Sequence, residues 1–343
     1  MKAILCATPG GPEALTLDDT STPEISATEV LIRVRAAGVN RADLLQRQGL
    51  YPPPRGESDI LGLECSGRVV QVGPDVAAWN PGDEVCALLT GGGYAEYVAA
   101  PQGQVMPVPA GLDPLAAAGL PEVACTVYSN LAMGAQLSAG EWLLIHGGGS
   151  GIGTFAIQWA KAIGANVVVT AGSAEKLRRC RELGADAGIN YREQDFPAAV
   201  RELTENHGAD VILDIIGAKY LEANVRTLAR GGRLVVIGLQ GGTRAELDLG
   251  RLLSKAGSIQ ATSLRARPAG EKSEICARVV EQVWPMVADG RIKVVVDRVV
   301  GLPSAAEAHT VVAAGEHVGK VVLQVSGDQP HSAPGGAAPR MGS

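Results

Sequence analysis

The run Leu143-Leu144-Ile145-His146 opens into Gly147-Gly148-Gly149-Ser150-Gly151-Ile152-Gly153. It then continues without a break into Thr154-Phe155-Ala156-Ile157-Gln158-Trp159-Ala160-Lys161-Ala162-Ile163-Gly164. A short apolar run reads as a buried strand, and the stretch after the glycines carries the spacing of an amphipathic helix. A strand, a glycine turn and a helix in that order are how α/β proteins hold a pyrophosphate against backbone N–H groups. The best register is Gly148-x-Ser150-x-x-Gly153, with Ser150 where the fingerprint has its middle glycine. A Cβ there limits how closely backbone can approach phosphate. Taken alone, the loop reads either as a dinucleotide site or as a glycine-rich surface turn.

The next strand, Ala165-Asn166-Val167-Val168-Val169-Thr170-Ala171, arrives where a dinucleotide fold requires it. A ribose with a free 2′-OH is usually met at such a strand end by Asp or Glu. Here the chain continues Gly172-Ser173-Ala174-Glu175-Lys176 and has no acid at the strand end itself. A hydroxyl at Ser173 and an ammonium at Lys176 suit a 2′-phosphate, which needs donors and positive charge. The preference drawn is NADPH over NADH. The competing reading of Lys176 is a solvated helix lysine.

From Trp142 to about Thr262 the chain alternates between the two periods. Strands are expected at 142–147, 166–171, 187–190, 210–216, 232–237 and 258–262, and helices at 151–163, 174–183, 195–205 and 219–229. That alternation predicts an α/β fold with a doubly wound parallel (Rossmann) sheet and right-handed crossovers. The region before it differs. Glu29–Asn40, Gly67–Gly73, Asp83–Leu89 and Tyr94–Val98 read as strands, separated by Val72-Gly73-Pro74-Asp75 and Asn80-Pro81-Gly82-Asp83. They predict a compact β-barrel-type domain. An alanine-rich helical stretch, 113–131, is interrupted by Pro121. A helix near 271–288, a strand at 292–300, a helix at 303–314 and a strand at 319–325 read as a return to the first domain. The division expected is 1–124 with 264–326, then 125–263, then a tail over 327–343 whose composition predicts disorder.

Composition narrows the function classes. With 46% hydrophobic residues, 343 residues can build two ordinary cores. A net charge of −6 without a Lys/Arg tract argues against nucleic acid as main partner. No run of about 20 apolar residues is present to span a membrane. The opening Met1–Cys6 lacks a signal-peptide pattern, so a cytoplasmic protein is expected. The six cysteines stand singly, as free thiols of a reducing compartment do, and the five histidines show no ligand spacing, so no metal is expected.

Several stretches carry a more specific likeness: Ala37-Gly38-Val39-Asn40-Arg41-Ala42-Asp43-Leu44, Gln46-Arg47-Gln48-Gly49-Leu50-Tyr51, Ile60-Leu61-Gly62-Leu63-Glu64, the glycine loop with Gln158, Thr170-Ala171-Gly172-Ser173, Asn190-Tyr191, Thr262-Ser263-Leu264-Arg265 and Gly319-Lys320-Val321-Val322-Leu323. Over roughly residues 1–325 the chain resembles the zinc-free quinone oxidoreductases of the medium-chain dehydrogenase/reductase superfamily, nearest to their p53-inducible group. The resemblance implies a GroES-like catalytic domain beside the Rossmann domain. It departs from the superfamily's zinc alcohol dehydrogenases, which have Cys where this chain has Asn40 and His where it has Leu63; neither residue here can replace those ligands.

By that resemblance, Ser150, Gly151, Ile152 and Gly153 meet the pyrophosphate, while Ser173, Lys176 and Tyr191 surround the 2′-phosphate. Gly217, Gly238 and Leu239 lie at later strand ends. Asn40, Asp43, Thr126, Ser263 and Leu264 line the nicotinamide end, with Tyr51 near the acceptor. Simpler readings stand beside three of these: Asp43 as a helix cap, Tyr51 as a packed loop aromatic and Tyr191 as plain core. The implied activity is zinc-independent transfer of hydride or single electrons from NADPH to a quinone by a homodimer. The alternatives are an NADPH-dependent 2-alkenal, enone or enoyl-thioester reductase, and a crystallin-like or redox-sensing NADPH-binding protein with little turnover. No proton donor is assigned.

Overall fold

The computed structural model describes residues 1–325; the tail expected over 327–343 lies outside the described residues. Among the described residues, six parallel strands form one sheet in the order Ala187–Asn190, Asn166–Ala171, Trp142–His146, Ala209–Asp214, Leu228–Val236, Ser258–Ala261. Numbered along the chain, that is 3-2-1-4-5-6, the doubly wound order. The strands are Val/Ile/Leu-rich because both faces are covered. Leu143, Ile145, Val167, Val169, Val211, Leu213 and Val235 face one core, while Leu144, Val168, Ile189, Ile212 and Leu234 face the other. The period of two assigns alternate residues to opposite helix layers. Leu144 is fully buried, and truncating it to alanine would cost about 2–5 kcal/mol.

The second sheet runs Val296–Gly301, Lys320–Gln324, Glu29–Val39, Glu64–Val72, Glu84–Leu88, Val105–Pro107, with Tyr97–Pro101 also paired to Glu29–Val39. Lys320–Gln324 pairs antiparallel with Glu29–Val39, Val322 opposite Gly38. The end of the described chain therefore completes a sheet begun near its start. One apolar core crosses the junction of the two sheets and includes Leu88, Met106, Val123, Val127, Ile145, Ile275 and Val279.

Several element boundaries differ from expectation, each for a local reason. The strand expected at 210–216 stops at Asp214, whose carboxylate accepts the N–H groups of Ile216 (2.6 Å) and Gly217 (3.0 Å) and turns the chain. The helix expected at 271–288 is two, Ala269–Gln282 and Trp284–Ala288, because Pro285 has no N–H to continue the first. The strand expected at Tyr94–Val98 is Tyr97–Pro101, while Tyr94 turns inward and is fully buried. The strand expected at 292–300 begins at Val296. The helical stretch 113–131 divides into Pro114–Ala117, Pro121–Val127 and a π-helical segment, Tyr128–Gly134. Pro121 starts the second helix rather than merely interrupting it, a position where its missing N–H is harmless. Lys2–Leu5, Thr16–Asp19, Val105–Pro107 and the helix Leu249–Ser254 carry too little periodicity to have been foreseen.

Candidate functional site

The strand order reverses between Trp142–His146 and Ala209–Asp214, and ligands of such sheets lie outside the carboxyl ends at that point. The glycine loop follows the first of these strands directly. Ser150 is the N-cap of the helix Gly151–Ala162, and its Oγ accepts from Gly153 N at 3.0 Å. The hydroxyl thus takes over one of the helix's unpaired N–H groups. Gly153, expected to offer its N–H to pyrophosphate, already spends it on Ser150. The N–H groups of Gly151 and Ile152 are the ones left at the helix start. Gly153 must be glycine for another reason: a Cβ there would sit 2.4 Å from the Gly147 carbonyl oxygen. The serine that breaks the fingerprint therefore shapes the loop.

His146, just before the loop, is structural, as its isolation in the sequence predicts. Its ring bonds Thr170 Oγ1 (3.0 Å) and Asn224 Oδ1 (2.7 Å), and burial pulls its pKa down to about 4. Asn224 in turn holds Asp214, which fixes the Gly217 turn. Gly217, Gly238 and Leu239 meet there, and Leu239 is exposed.

At the neighbouring strand end, Ser173 caps the helix Ala174–Glu182 by accepting from Lys176 N. The Lys176 stem lies against Gly149, its ammonium donates to the Gly315 carbonyl, and burial lowers its pKa. Glu175 turns away to pair with Arg178. Tyr191 is 43% exposed, which removes the core reading of it, and its hydroxyl lies by Gly172. The Arg192 guanidinium lies beside the same glycine, a cation not singled out in the sequence because nothing local marks it. Ser173, Lys176, Tyr191 and Arg192 thus gather at the end of one strand pair.

The other end of the crevice is built from charge. Lys320 Nζ lies 2.6 Å from Glu64 Oε1 and 2.6 Å from Asn40 Oδ1, and Asn40 Nδ2 donates to the same Glu64 oxygen at 2.9 Å. Glu64 is fully buried and Lys320 nearly so. The second Glu64 oxygen accepts the backbone N–H of Glu122 at 2.9 Å. The Lys320 stem also lies against Gly151, so this ion pair touches the glycine loop. Asp43, expected among the nicotinamide-lining groups, is instead fully buried behind Asn40. It accepts Asn40 N (2.7 Å), Gly62 N (3.1 Å) and the Tyr94 hydroxyl (3.2 Å). Burial raises its pKa to about 6 against those donors. It acts as a brace for Asn40, in line with the helix-cap reading.

Thr126 is buried on the helix that begins at Pro121. Tyr51 bonds Ser263 Oγ through its hydroxyl (2.8 Å), and its ring lies 5.4 Å beneath the Arg265 guanidinium. Arg265 donates to Thr90 O (2.8 Å) and Tyr51 O (3.3 Å), leaving Nη2 buried and unpaired. The side chain of Leu264 belongs to the core, so only its backbone is available at the site. Glu64, Lys320, Glu122 and Arg265 were not predicted as site residues. Glu64, Lys320 and Arg265 do lie in stretches that carry the resemblance.

Comparison with known proteins agrees with this layout. Residues 26–110 match the alcohol dehydrogenase GroES-like domain, and residues 151–283 the domain family called zinc-binding dehydrogenase. A quinone oxidoreductase of Pseudomonas aeruginosa is 34% identical over 324 residues, 94% of this chain and 99% of that protein. The crystal structure of Escherichia coli quinone oxidoreductase complexed with NADPH superposes with a TM-score of 0.85 at 29% identity, covering 95% of this chain and 100% of that one. A structure of an NAD-dependent alcohol dehydrogenase superposes at 0.84 with 33% identity, covering 95% of this chain and all of that one.

Proposed function

The chain belongs to the quinone oxidoreductases of the medium-chain dehydrogenase/reductase superfamily, and from that premise we propose that it is an NADPH-dependent quinone reductase working without zinc. The observation that carries the cofactor is the strand-end cluster. Ser173, Lys176, Tyr191 and Arg192 stand where an NADH enzyme would have an acid. Glycine at 151 lets the Lys320 stem pack against the loop, since a Cβ there would come 2.6 Å from Lys320 Cδ. When bound, NADPH supplies the reducing electrons, as hydride or singly.

The chain's own residues do the rest. Gly151 and Ile152 offer N–H groups to the pyrophosphate, and Lys176 with Arg192 matches the 2′-phosphate charge. Asn40, held by Asp43 and Glu64, faces the nicotinamide end with Thr126. Tyr51 and Ser263 border the acceptor. Positioning of this kind supplies most of the rate expected for such a transfer.

The zinc-independent reading rests on donor chemistry. The Asn40 amide oxygen is engaged by an ammonium, and Leu63 presents an alkyl chain. Among the described residues, no three His, Cys, Asp or Glu converge as a metal site. Metal analysis of the purified protein together with an unchanged rate after chelation would support it. A stoichiometric zinc whose removal abolishes turnover would refute it.

Steady-state rates with a quinone, an enone and a crotonyl thioester test the acceptor. Fast quinone turnover with NADPH is expected. Fast enone reduction with little quinone turnover would favour the 2-alkenal or enone reductase reading. Tight NADPH binding with negligible turnover on all three would favour a crystallin-like or sensing role.

We also assign residues 1–124 with 264–326 to the catalytic domain and 125–263 to the cofactor domain, and a homodimer to the assembly. The outer edge of Ser258–Ala261 has no strand beside it among the described residues, and Leu249 and Leu253 stand exposed on the helix Leu249–Ser254 that precedes it in the chain. An unpaired strand edge of this kind is a template on which a second copy can continue the sheet. Sedimentation velocity would show a dimer, and a monomer at micromolar concentration would contradict it. Among the described residues no helix is long and apolar enough to cross a membrane. A cytoplasmic location is the corresponding proposal, tested by fractionation.

A further inference from the structure

We infer that Glu122 is the proton donor of the reaction, delivering a proton to the acceptor oxygen as that acceptor is reduced. The inference rests on the quinone-reductase reading and deepens it. Its starting point is geometric. Glu64 grips Asn40 through one carboxylate oxygen and the Glu122 backbone through the other. One buried carboxylate therefore fixes the two residues as neighbours. Thr126 follows Glu122 by one turn of the helix Pro121–Val127, on the same face. Glu122 thus shares the Glu64 carboxylate with Asn40 and lies one helical turn from Thr126, the two residues assigned to the nicotinamide end. Among the described residues its own carboxyl makes no hydrogen bond and no ion pair within 4 Å, although every other carboxylate of the cluster is fully engaged. It is also only partly covered, so water can reach it.

The surroundings favour the neutral acid. Burial pushes the Glu122 pKa up to about 8, and the negative charges of Glu64 and Asp43 add to the rise; Lys320 and Arg265 oppose it. At neutral pH the group holds its proton close to pH-matched, the condition under which general acids work best. The chemistry balances. A quinone that accepts hydride gains two electrons and one hydrogen and is left as an oxyanion. The Glu122 O–H bond breaks, the acceptor O–H bond forms, and hydroquinone leaves. Water then reprotonates the carboxylate through the open side.

The test uses Glu122→Gln, which keeps volume and the backbone N–H to Glu64, with Glu122→Asp as the acid-retaining control. In the wild type, kcat with a quinone should fall above about pH 8. In E122Q, kcat at pH 7 should fall about 100-fold or more, the descending limb should vanish, and the NADPH dissociation constant measured by fluorescence should hold. E122D should recover part of the rate and the limb. In parallel, the infrared band of a protonated carboxylic acid should be present at pH 7, disappear by pH 9 and be absent from E122Q. A folded E122Q with unchanged kcat and pH profile, or a wild type lacking the band at pH 7, overturns the donor role alone. A wild type that shows the band but reduces no quinone defeats the functional reading and the donor role with it.

Discussion

In the proposed reading the glycine loop serves a cofactor through backbone: N–H groups at Gly151 and Ile152 at the start of a helix capped by Ser150. The Asn40 end is built from buried charge instead: Glu64 and Lys320 paired at 2.6 Å, with Asn40 bridging both and Asp43 behind them. The glycine loop depends chiefly on backbone shape, since a Cβ at Gly153 would sit 2.4 Å from the Gly147 carbonyl oxygen. The Asn40 end tolerates little change in any member, because each charge depends on its partner. Cofactor holding and acceptor chemistry therefore fail in different ways when mutated.

The largest effect should come from the charged end. Glu64→Ala leaves the Lys320 ammonium buried without its carboxylate and should cost about 3–5 kcal/mol, read as a lower denaturant midpoint at an unchanged slope. A loss under 1 kcal/mol, an estimate typical of an exposed pair, would erase the contrast between the two ends.

Lys176→Ala acts at the cofactor end and should spare the fold. Loss of a charge-assisted phosphate contact is worth about 1.5–3 kcal/mol, so NADPH should bind about 10- to 100-fold more weakly while NADH is unaffected. Equal loss for both cofactors would remove Lys176 from the 2′-phosphate. Tyr51→Phe, which deletes the hydroxyl bond to Ser263, should cost about 0.5–1.5 kcal/mol, seen mainly as a raised KM for the quinone. No change would leave Tyr51 as the packed loop aromatic of the simpler reading.

The smallest effect is on stability against pH. The folded-state pKa of Glu122 lies above its ordinary value. The folded protein therefore binds the extra proton, and the group's contribution is full below about pH 4.5 and lost as pH rises through about 8. Asp43 adds the same sign, complete by about pH 6. Glu122→Gln should therefore melt a few degrees above the wild type at pH 9 and close to it at pH 5. The opposite order at pH 9 would show that the carboxylate, not the acid, is the form the fold favours.

What the sequence made legible follows the same division. The loop, the strand end at Ala171 and the residues Ser173 and Lys176 lie within one local stretch, where spacing implies position; Tyr191 is implied only by the family resemblance. Asn40 and Lys320 are 280 residues apart in the chain; the return of the strand at 319–325 to the first domain is expected from the sequence, but nothing local says that Lys320 meets Asn40. Asp43 illustrates the limit. Its place in a matching motif implied a role at the nicotinamide, but burial and three donors make it a brace. Ser150 illustrates the reverse, since its departure from the fingerprint is explained once its hydroxyl is seen capping Gly153.

The most direct test is the steady-state reduction of a simple benzoquinone by the wild type with NADPH and with NADH in parallel. The account predicts turnover with a kcat/KM for NADPH at least about 10-fold above that for NADH, the span of one charge-assisted contact. Equal use of the two cofactors, or no quinone turnover with either, would contradict it.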